Sequence, residues 1–285
     1  MPTLVAPLRK SRWRYLNFST TSAYGNLAVE EAVALAFSNG TQTDPTIRMW
    51  VNPKAVVVGR FQEVVDEVDL AQCDANGLQV ARRFTGGGTV FHDLGTLNFT
   101  MLGQRRPDSM FGFQERNLQL VVNALGNLGI RGSLSPPNSI LIDGRKVCGA
   151  SAAVGAHFAL WHCSILVDTN FRLLELTLAP SKIRGASHFV RSRWQPVTSV
   201  AKAMAKTVTV NDLKHELRKS VERWLRVPLE DDSLLEDEAR YAEALNARKY
   251  SLDAWNLRGN HGFVWGKEEV EEITRRLPCE SAPRP

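Results

Sequence analysis

The sequence predicts an α+β fold, a mixed β-sheet flanked by helices, on three observations. Strand-like runs and helix-like runs are interspersed without the regular strand–helix–strand rhythm of a parallel sheet. Helical periodicity is strong over 23–38, 111–128 and 210–226. The chain has 285 residues, 44% of them hydrophobic, enough to bury a sizeable core in one large domain or two small ones. No internal repeat or low-complexity linker divides it. A single domain over 1–285 is therefore expected, with its core at about 13–265.

The elements follow in order. Residues 23–38 carry apolar side chains at helical spacing. The β-branched runs 47–51 and 55–58 are split by Asn52-Pro53, a turn signal, and read as a hairpin. A short helix over 67–76 ends at Gly77 and leads into a strand at 78–82. A glycine-rich loop then enters an alternating strand, 96–102. The helix at 111–128 stops near Gly129. Strands at 139–142 and 145–148 flank Asp143-Gly144, a dipeptide that takes a type I′ turn readily. Residues 158–168 form a buried strand and 171–178 a short helix. An amphipathic helix over 210–226 begins after Asn211, its expected N-cap.

Charge and cysteine usage narrow the function. The net charge is +5 and charged residues make up 23%, with no long basic block. This suits anionic ligands or acidic protein surfaces and does not point to nucleic acid. No stretch is long and apolar enough for a membrane span. The four cysteines, Cys73, Cys148, Cys163 and Cys279, show no CxxC spacing and fit a reducing compartment. The N-terminal run is basic, with no acid before Glu30. That gives it the flavour of a mitochondrial targeting segment, the cytoplasm being the other location considered.

Two segments carry chemistry. The first runs from Arg82 through Arg83, Phe84, Thr85, Gly86, Gly87, Gly88, Thr89, Val90, Phe91 and His92 to Asp93. Three glycines let the backbone approach a ligand and turn N–H groups toward an anion. The two arginines supply planar donors. A bare triple glycine is more often a surface loop; Arg-Arg before it and His-Asp after it favour an anion site. It is neither a Walker A loop nor a dinucleotide fingerprint. The second segment is the hairpin. Strand alternation sets Lys146 and Cys148 on one side, Arg145 and Val147 on the other. A strand lysine beside a basic glycine loop can clamp a phosphate or polarise an acyl group. Taken alone, Lys146 reads as a solvated lysine, Asn138 as a turn residue, Cys148 as a small packing residue and His162 as a pocket or core histidine. His162 and Cys163 point to opposite faces and cannot form a dyad.

The runs AYGNLAVEE, RMWVNPKAVVVGRFQ, EVDL, ARRFTGGGTVFHDLGTLNFT, NSILIDGRKVCGASA, WHCSILVD, SHFVRSRWQPVTSV and YSLDAW, in that order and spacing, resemble the lipoate–protein ligase and lipoyltransferase family, which is related to the biotin–protein ligases. The resemblance spans about Tyr24 to Trp255. It implies a biotin/lipoate protein ligase-like catalytic domain. It also implies that Arg83, Gly86, Gly87, Gly88, Thr89, Val90, Phe91, His92, Asp93 and Gly149 belong to the substrate or nucleotide site. Lys146 would contact acyl carbonyl and phosphate, Asn138 would lie near phosphate and Mg²⁺, and His162 would match a family histidine. The implied substrates are lipoate with ATP and Mg²⁺, or preformed lipoyl-AMP. The implied acceptors are lipoyl domains of 2-oxoacid dehydrogenase E2 subunits or the glycine-cleavage H protein.

Members often carry an accessory C-terminal domain that assists adenylation, and none is evident after YSLDAW. A separate accessory subunit, use of preformed lipoyl-AMP, or transfer from another carrier are the expectations that follow. Two other readings stand beside the ligase: a lipoyl or octanoyl carrier-to-carrier acyltransferase using a thioester on Cys148 or Cys163, and a non-catalytic lipoate-binding protein. An apolar acyl tunnel is expected, formed partly by strands 78–82, 96–102 and 158–168.

Overall fold

A computed structural model describes residues 12–105, 109–178, 189–205 and 207–259. The basic run before Arg12, the tail after Trp265 and Cys279 lie outside the described residues.

The strands are β1 (Arg14–Leu16), β2 (Thr46–Trp50), β3 (Ala55–Val58), β4 (Gln79–Arg82), β5 (Val90–His92), β6 (Thr96–Gln104), β7 (Ser133–Ser135), β8 (Ser139–Ile142), β9 (Arg145–Val154), β10 (Phe158–Leu166) and β11 (Glu230–Asp231). Among the described residues they form an eight-stranded sheet, β11-β1-β2-β6-β10-β9-β8-β7, and a three-stranded sheet, β4-β3-β5. Both are mixed. β1 runs parallel to β2 and β11, and β3 runs parallel to β4, while the other pairs are antiparallel. The expected α+β class holds.

The helices are α1 (Ala23–Ser38), α2 (Val64–Glu67), α3 (Leu70–Ala75), α4 (Met110–Asn127), α5 (Phe171–Thr177), α6 (Val200–Met204), α7 (Val210–Leu225), α8 (Glu236–Leu245) and α9 (Asp253–Asn256), with a π turn at Asn246–Tyr250. No described helix is long and apolar enough to cross a membrane.

The alternation of the central strands decides the layers. On one face of the large sheet, Met49, Phe99, Met101, Trp161, Cys163 and Ile165 pack against Leu118 and Val121 of α4 and Leu213 and Leu217 of α7. On the other face, Trp50, Leu102 and Leu160 pack against α1 and α8. Full burial of each such large side chain contributes roughly 1.5–3 kcal/mol. Helix α1 is covered all round: every residue from Asn26 to Ala36 is buried. Its small alanines allow that fit, and Glu30 and Glu31 go inside with them. Buried carboxylates require partners. Glu31 accepts from Lys249 Nζ at 2.7 Å and from the Tyr250 hydroxyl. Glu30 turns to the site.

Two expectations need correction. β2 and β3 are not a hairpin, because β2 pairs with β1 and β6 whereas β3 pairs with β4 and β5. Asn52-Pro53 is a corner between sheets, and Asn52 is buried there, accepting from Asn26 Nδ2 at 2.9 Å and donating to His92 Nδ1 at 2.8 Å. The N-cap of α7 is Thr209 rather than Asn211. Thr209 Oγ1 accepts from Asp212 N at 3.1 Å, and Asp212 Oδ2 accepts from Thr209 N at 2.8 Å, a reciprocal box that Asn211 cannot make from inside the helix. The β8–β9 turn is as expected: Asp143 and Gly144 both have positive φ, 48° and 74°.

Candidate active site

The floor of the site is the α1-side face of the large sheet. Cross-strand registers line up two polar rows. Trp50, Asn98, Ser164 and Gly149 form one; Arg48, Thr100, His162 and Ser151 form the next. The same strands send apolar side chains to the opposite face, so polarity alternates with the pleat. A cavity of about 400 Å³ lies over these rows. Leu27 and Glu30 of α1, Val57 of β3, the glycine loop, the hairpin from Pro136 to Lys146 and the segment 191–195 complete its wall. Its inner end is made of fully buried groups, Glu30, Trp50, Val57, His92 and Asn98, each at most 2% exposed. Its outer end carries exposed Pro136, Pro137 and Arg193. A second cavity of about 550 Å³ adjoins it and shares Thr89, Val90, Lys146, Gly149 and Ser164.

Glu30 starts a buried relay toward the glycine loop. Its Oε2 lies 3.0 Å from His162 Nδ1, and His162 Nε2 lies 2.8 Å from Thr85 Oγ1. Thr85 Oγ1 in turn accepts from Arg83 Nε at 3.0 Å. Burial alone would raise the Glu30 carboxyl, but His162, Thr100 and Arg48 together hold it below its ordinary value.

Arg83 organises the loop. Its Nη2 donates to Gly88 O at 2.7 Å and to Gly86 O, and its Nη1 to Val57 O at 3.2 Å. Ser151 Oγ adds a bond to Gly86 O at 2.9 Å, and Ser192 Oγ accepts from Thr89 N at 2.9 Å. The loop carbonyls therefore face inward on Arg83. The N–H groups of Gly86, Gly87 and Gly88 make no hydrogen bond to the described residues, which leaves donors for an anion. Gly87 holds φ at 86°, and a Cβ there would stand 3.0 Å from Arg83 Nη2. Burial lowers the Arg83 guanidinium to about 10, offset in part by Glu30. Arg82, the other arginine of the pair, does not face the cavity. It is 1% exposed and donates to the carbonyls of Gly59, Gln62 and Trp255.

Lys146 stands where the two cavities meet. No side-chain hydrogen bond to the described residues engages its ammonium, and burial, aided by Arg83, lowers its pKa. Its side chain folds over Gly149. A Cβ at 149 would lie 2.9 Å from Lys146 Cε and 3.1 Å from Nζ. The lysine-x-x-glycine spacing is thus a steric pair. The Lys146 backbone is pinned from the other side, donating to Pro196 O at 2.8 Å and accepting from Thr198 N at 2.9 Å. Strict alternation fails next to it. A bulge pairs Ile140 with Cys148 but Leu141 with Lys146, so Val147 and Cys148 both enter the apolar cluster.

The other candidates sort as follows. Gly88, Thr89, Val90, His92, Asn138, Gly149 and His162 line the first cavity with Arg83 and Lys146. Gly86 and Gly87 shape the loop behind it. Phe91 points into the apolar cluster around Val56 and Val58 and borders only the second cavity. Asp93 is a turn residue: its carboxylate accepts from Gly95 N, Thr96 Oγ1 and Asn170 N. Asn138 Nδ2 donates to Ala150 O at 2.8 Å, and its Oδ1 accepts no hydrogen bond from the described residues. His92 is lowered to about 3 by burial, then by Arg83 and His162. Of the strands expected in an acyl tunnel, β6 and β10 contribute; β4 gives only the following Arg83, and β9 and α1 supply what was not anticipated.

Metal ligands are sparse. The described residues contain no group of three or more His, Cys, Asp or Glu that could hold a metal. Glu30 is the one carboxylate among the described residues of the first cavity's lining, and it is already bonded to His162 and Thr100. One amide oxygen on Asn138 does not make a Mg²⁺ site, which calls for carboxylates and open coordination.

Sequence reasoning missed Glu30, Thr85, Asn98, Ser164 and Ser192. A glutamate on the buried side of a helix was the one available signal, since charge is rarely placed there unpaired.

A sequence model described as the lipoyl protein ligase A/B catalytic domain matches residues 22–222. A lipoate-protein ligase A subunit 1 from Thermoplasma acidophilum is 31% identical over 245 residues, 81% of this chain and 91% of that protein. An octanoyltransferase LipM from Brevibacillus brevis is 25% identical over 274 residues, 87% of this chain and 99% of its own. A solved bipartite lipoate protein ligase, studied with its E2 lipoyl domain, from Thermoplasma acidophilum, superposes with a TM-score of 0.78 at 27% identity. It covers 89% of this chain and 99% of that one. A lipoate-protein ligase A bound with ATP gives a TM-score of 0.76 at 27% identity, over 87% of this chain and 100% of that one.

Proposed function

The chain belongs to the lipoyl protein ligase A/B catalytic-domain family, and from that premise we propose that it attaches a lipoyl group to a lysine of an acceptor protein through lipoyl-AMP. One observation carries the reading: Lys146, an ammonium without an ion-pair partner among the described residues, is laid over Gly149 at the junction of two cavities, across from loop N–H groups that no described residue engages. Two adjoining cavities suit a ligand with an acyl half and a nucleotide half.

In the first step a lipoate carboxylate oxygen attacks the α-phosphorus of ATP, and pyrophosphate leaves. In the second the acceptor amine attacks the acyl carbonyl, AMP leaves, and the amine loses its proton. Both steps build negative charge on phosphate or carbonyl oxygen. Lys146 and the N–H groups of the glycine loop are placed to stabilise it. The adenylate is already activated, so no enzyme nucleophile is required. The ATP-bound ligase among the structural relatives supports the nucleotide half of this reading. No step is assigned to Mg²⁺.

The proposed acceptor is a lipoyl domain of the E2 type or the glycine-cleavage carrier; the Thermoplasma ligase was studied with such an E2 domain. That ligase is bipartite, which supports a separate accessory subunit for the adenylation step here. The geometry disfavours the cysteine thioester route, although Cys163 borders the first cavity and Cys148 the second. Cys148 and Cys163 lie in the apolar cluster below the sheet, 1% and 3% exposed, and burial pushes the Cys163 thiol up.

The test is intact-mass analysis of a purified lipoyl domain incubated with this protein and either lipoate, ATP and Mg²⁺ or lipoyl-AMP. A lipoyl mass gain in both identifies a self-sufficient ligase; a gain only with lipoyl-AMP identifies a transferase that needs another activator. Lys146→Ala is expected to lower the transfer rate by roughly a hundredfold or more with an unchanged melting curve. Full activity in that variant would remove Lys146 from the chemistry.

A further inference from the structure

The inner end of the cavity contains a hydrogen-bond wire whose direction is fixed by groups that can only donate. The wire starts at Arg48 and the Thr20 N–H, which donate to Asn26 Oδ1 at 2.9 and 2.8 Å. Asn26 must then present Nδ2 to Asn52 Oδ1, at 2.9 Å. Asn52 must present Nδ2 to His92 Nδ1, at 2.8 Å. His92 is thereby an acceptor at Nδ1 and carries its proton on Nε2, which donates to Ser164 Oγ at 2.8 Å. Ser164 spends its own proton on Asn98 Oδ1, at 2.7 Å. The orientations as far as His92 follow one from another; Ser164, having accepted from His92, finds the acceptor for its own proton in Asn98 Oδ1, and the wire ends on Asn98 Nδ2.

That nitrogen has no acceptor among the described residues. Asn98 is 2% exposed, lines the cavity, and its Nδ2 is a buried donor without a hydrogen-bond partner among the described residues. A buried donor left unmatched is costly, and turning the amide round would take from the Ser164 proton the acceptor it has in Asn98 Oδ1. Asn98 sits between Trp50 and Ser164 across the strands, at the buried end and away from the exposed mouth. Lys146 marks the reacting carboxyl, so the far end of the acyl chain is what reaches Asn98.

We propose that Asn98 is a specificity-determining residue that selects an acyl chain bearing a hydrogen-bond acceptor at its far end, as the cyclic disulfide of a dithiolane does and a plain alkyl chain does not. The proposal rests on the lipoyl-transfer reading above. Disulfide sulfur is a weak acceptor, yet a saturated eight-carbon chain offers none, and in its presence the donor stays unmatched.

The experiment compares kcat/KM for transfer from lipoyl-AMP and from octanoyl-AMP to a lipoyl domain, in the wild type, Asn98→Leu and Ser164→Ala. The wild type is expected to prefer lipoyl by roughly tenfold, and Asn98→Leu to bring the ratio close to one, the change residing in KM rather than kcat. Ser164→Ala leaves Asn98 in place but frees its amide to turn, and is expected to shift the ratio the same way by a smaller factor. It also serves where Asn98→Leu folds poorly. A wild-type preference that survives both substitutions overturns the assignment. A wild type that transfers neither group overturns the underlying reading, and the proposal falls with it.

Discussion

Gly149 is required by its neighbour rather than by its own backbone. The atom a Cβ would strike is the far end of the Lys146 side chain, at 2.9 Å, so the fold can yield cheaply while the ammonium moves. Gly149→Ala is therefore expected to cut acyl transfer at least tenfold while the melting temperature stays within a few degrees, read by mass analysis and calorimetry. The lysine-x-x-glycine spacing was legible, but its cause was not, because strand periodicity says nothing of a side chain lying along the strand. His92 gives a second residue-scale prediction. Its folded pKa of about 3 lies below its ordinary 6.5, so the unfolded chain binds the extra proton. The stability involved is complete above pH 6.5 and is lost as pH falls from 6.5 toward 3, at up to about 1.4 kcal/mol per pH unit. Denaturant midpoints for wild type and His92→Gln across pH 4 to 7 should show a shallower slope in the variant; parallel slopes would contradict the buried neutral imidazole.

At the scale of elements, the glycine loop is set by one residue with positive φ and one guanidinium. Gly87→Val places a branched side chain at φ 86° and against Arg83 Nη2. Ligand affinity, measured by calorimetric titration with lipoyl-AMP, is expected to fall at least tenfold; wild-type affinity would show that the loop is not part of the ligand site. Elements governed by local chemistry were readable. Asp143-Gly144 gave its turn, Gly77 and Gly129 their helix ends, and the period of 145–148 a strand. Elements governed by distant partners were not. Asn52-Pro53 looks like a hairpin turn until the buried bonds of Asn52 to Asn26 and His92 are known. Asn98 and Ser164 alternate with apolar neighbours as if facing water, whereas the face they occupy is closed by α1. The Thr209 cap was missed for Asn211 because either residue can cap, and only Asp212 decides between them.

At the scale of the molecule, the C-terminal part of the described chain locks the N-terminal part. Lys249, 3% exposed, is paired with Glu31, and Arg14, 1% exposed, with Glu238 at 2.8 Å. Lys249→Met would leave a buried carboxylate without its cation and is expected to cost about 3–5 kcal/mol in urea denaturation. A cost under about 1 kcal/mol would mean that Glu31 finds other support.

The same region grips Arg82. Its Nε donates to Trp255 O at 2.9 Å and its O accepts from Trp255 Nε1 at 2.7 Å, across 173 residues of chain, and its N donates to Asn256 Oδ1 at 3.0 Å, across 174. Arg82 immediately precedes Arg83, the guanidinium around which the glycine loop closes. During synthesis from the N-terminus, the loop, the lysine hairpin and the sheet all emerge long before Trp255 does. The order of manufacture thus withholds one footing of the ligand loop until the last described helix is made, and a nascent polypeptide that already displays the glycine loop and the lysine hairpin still lacks it.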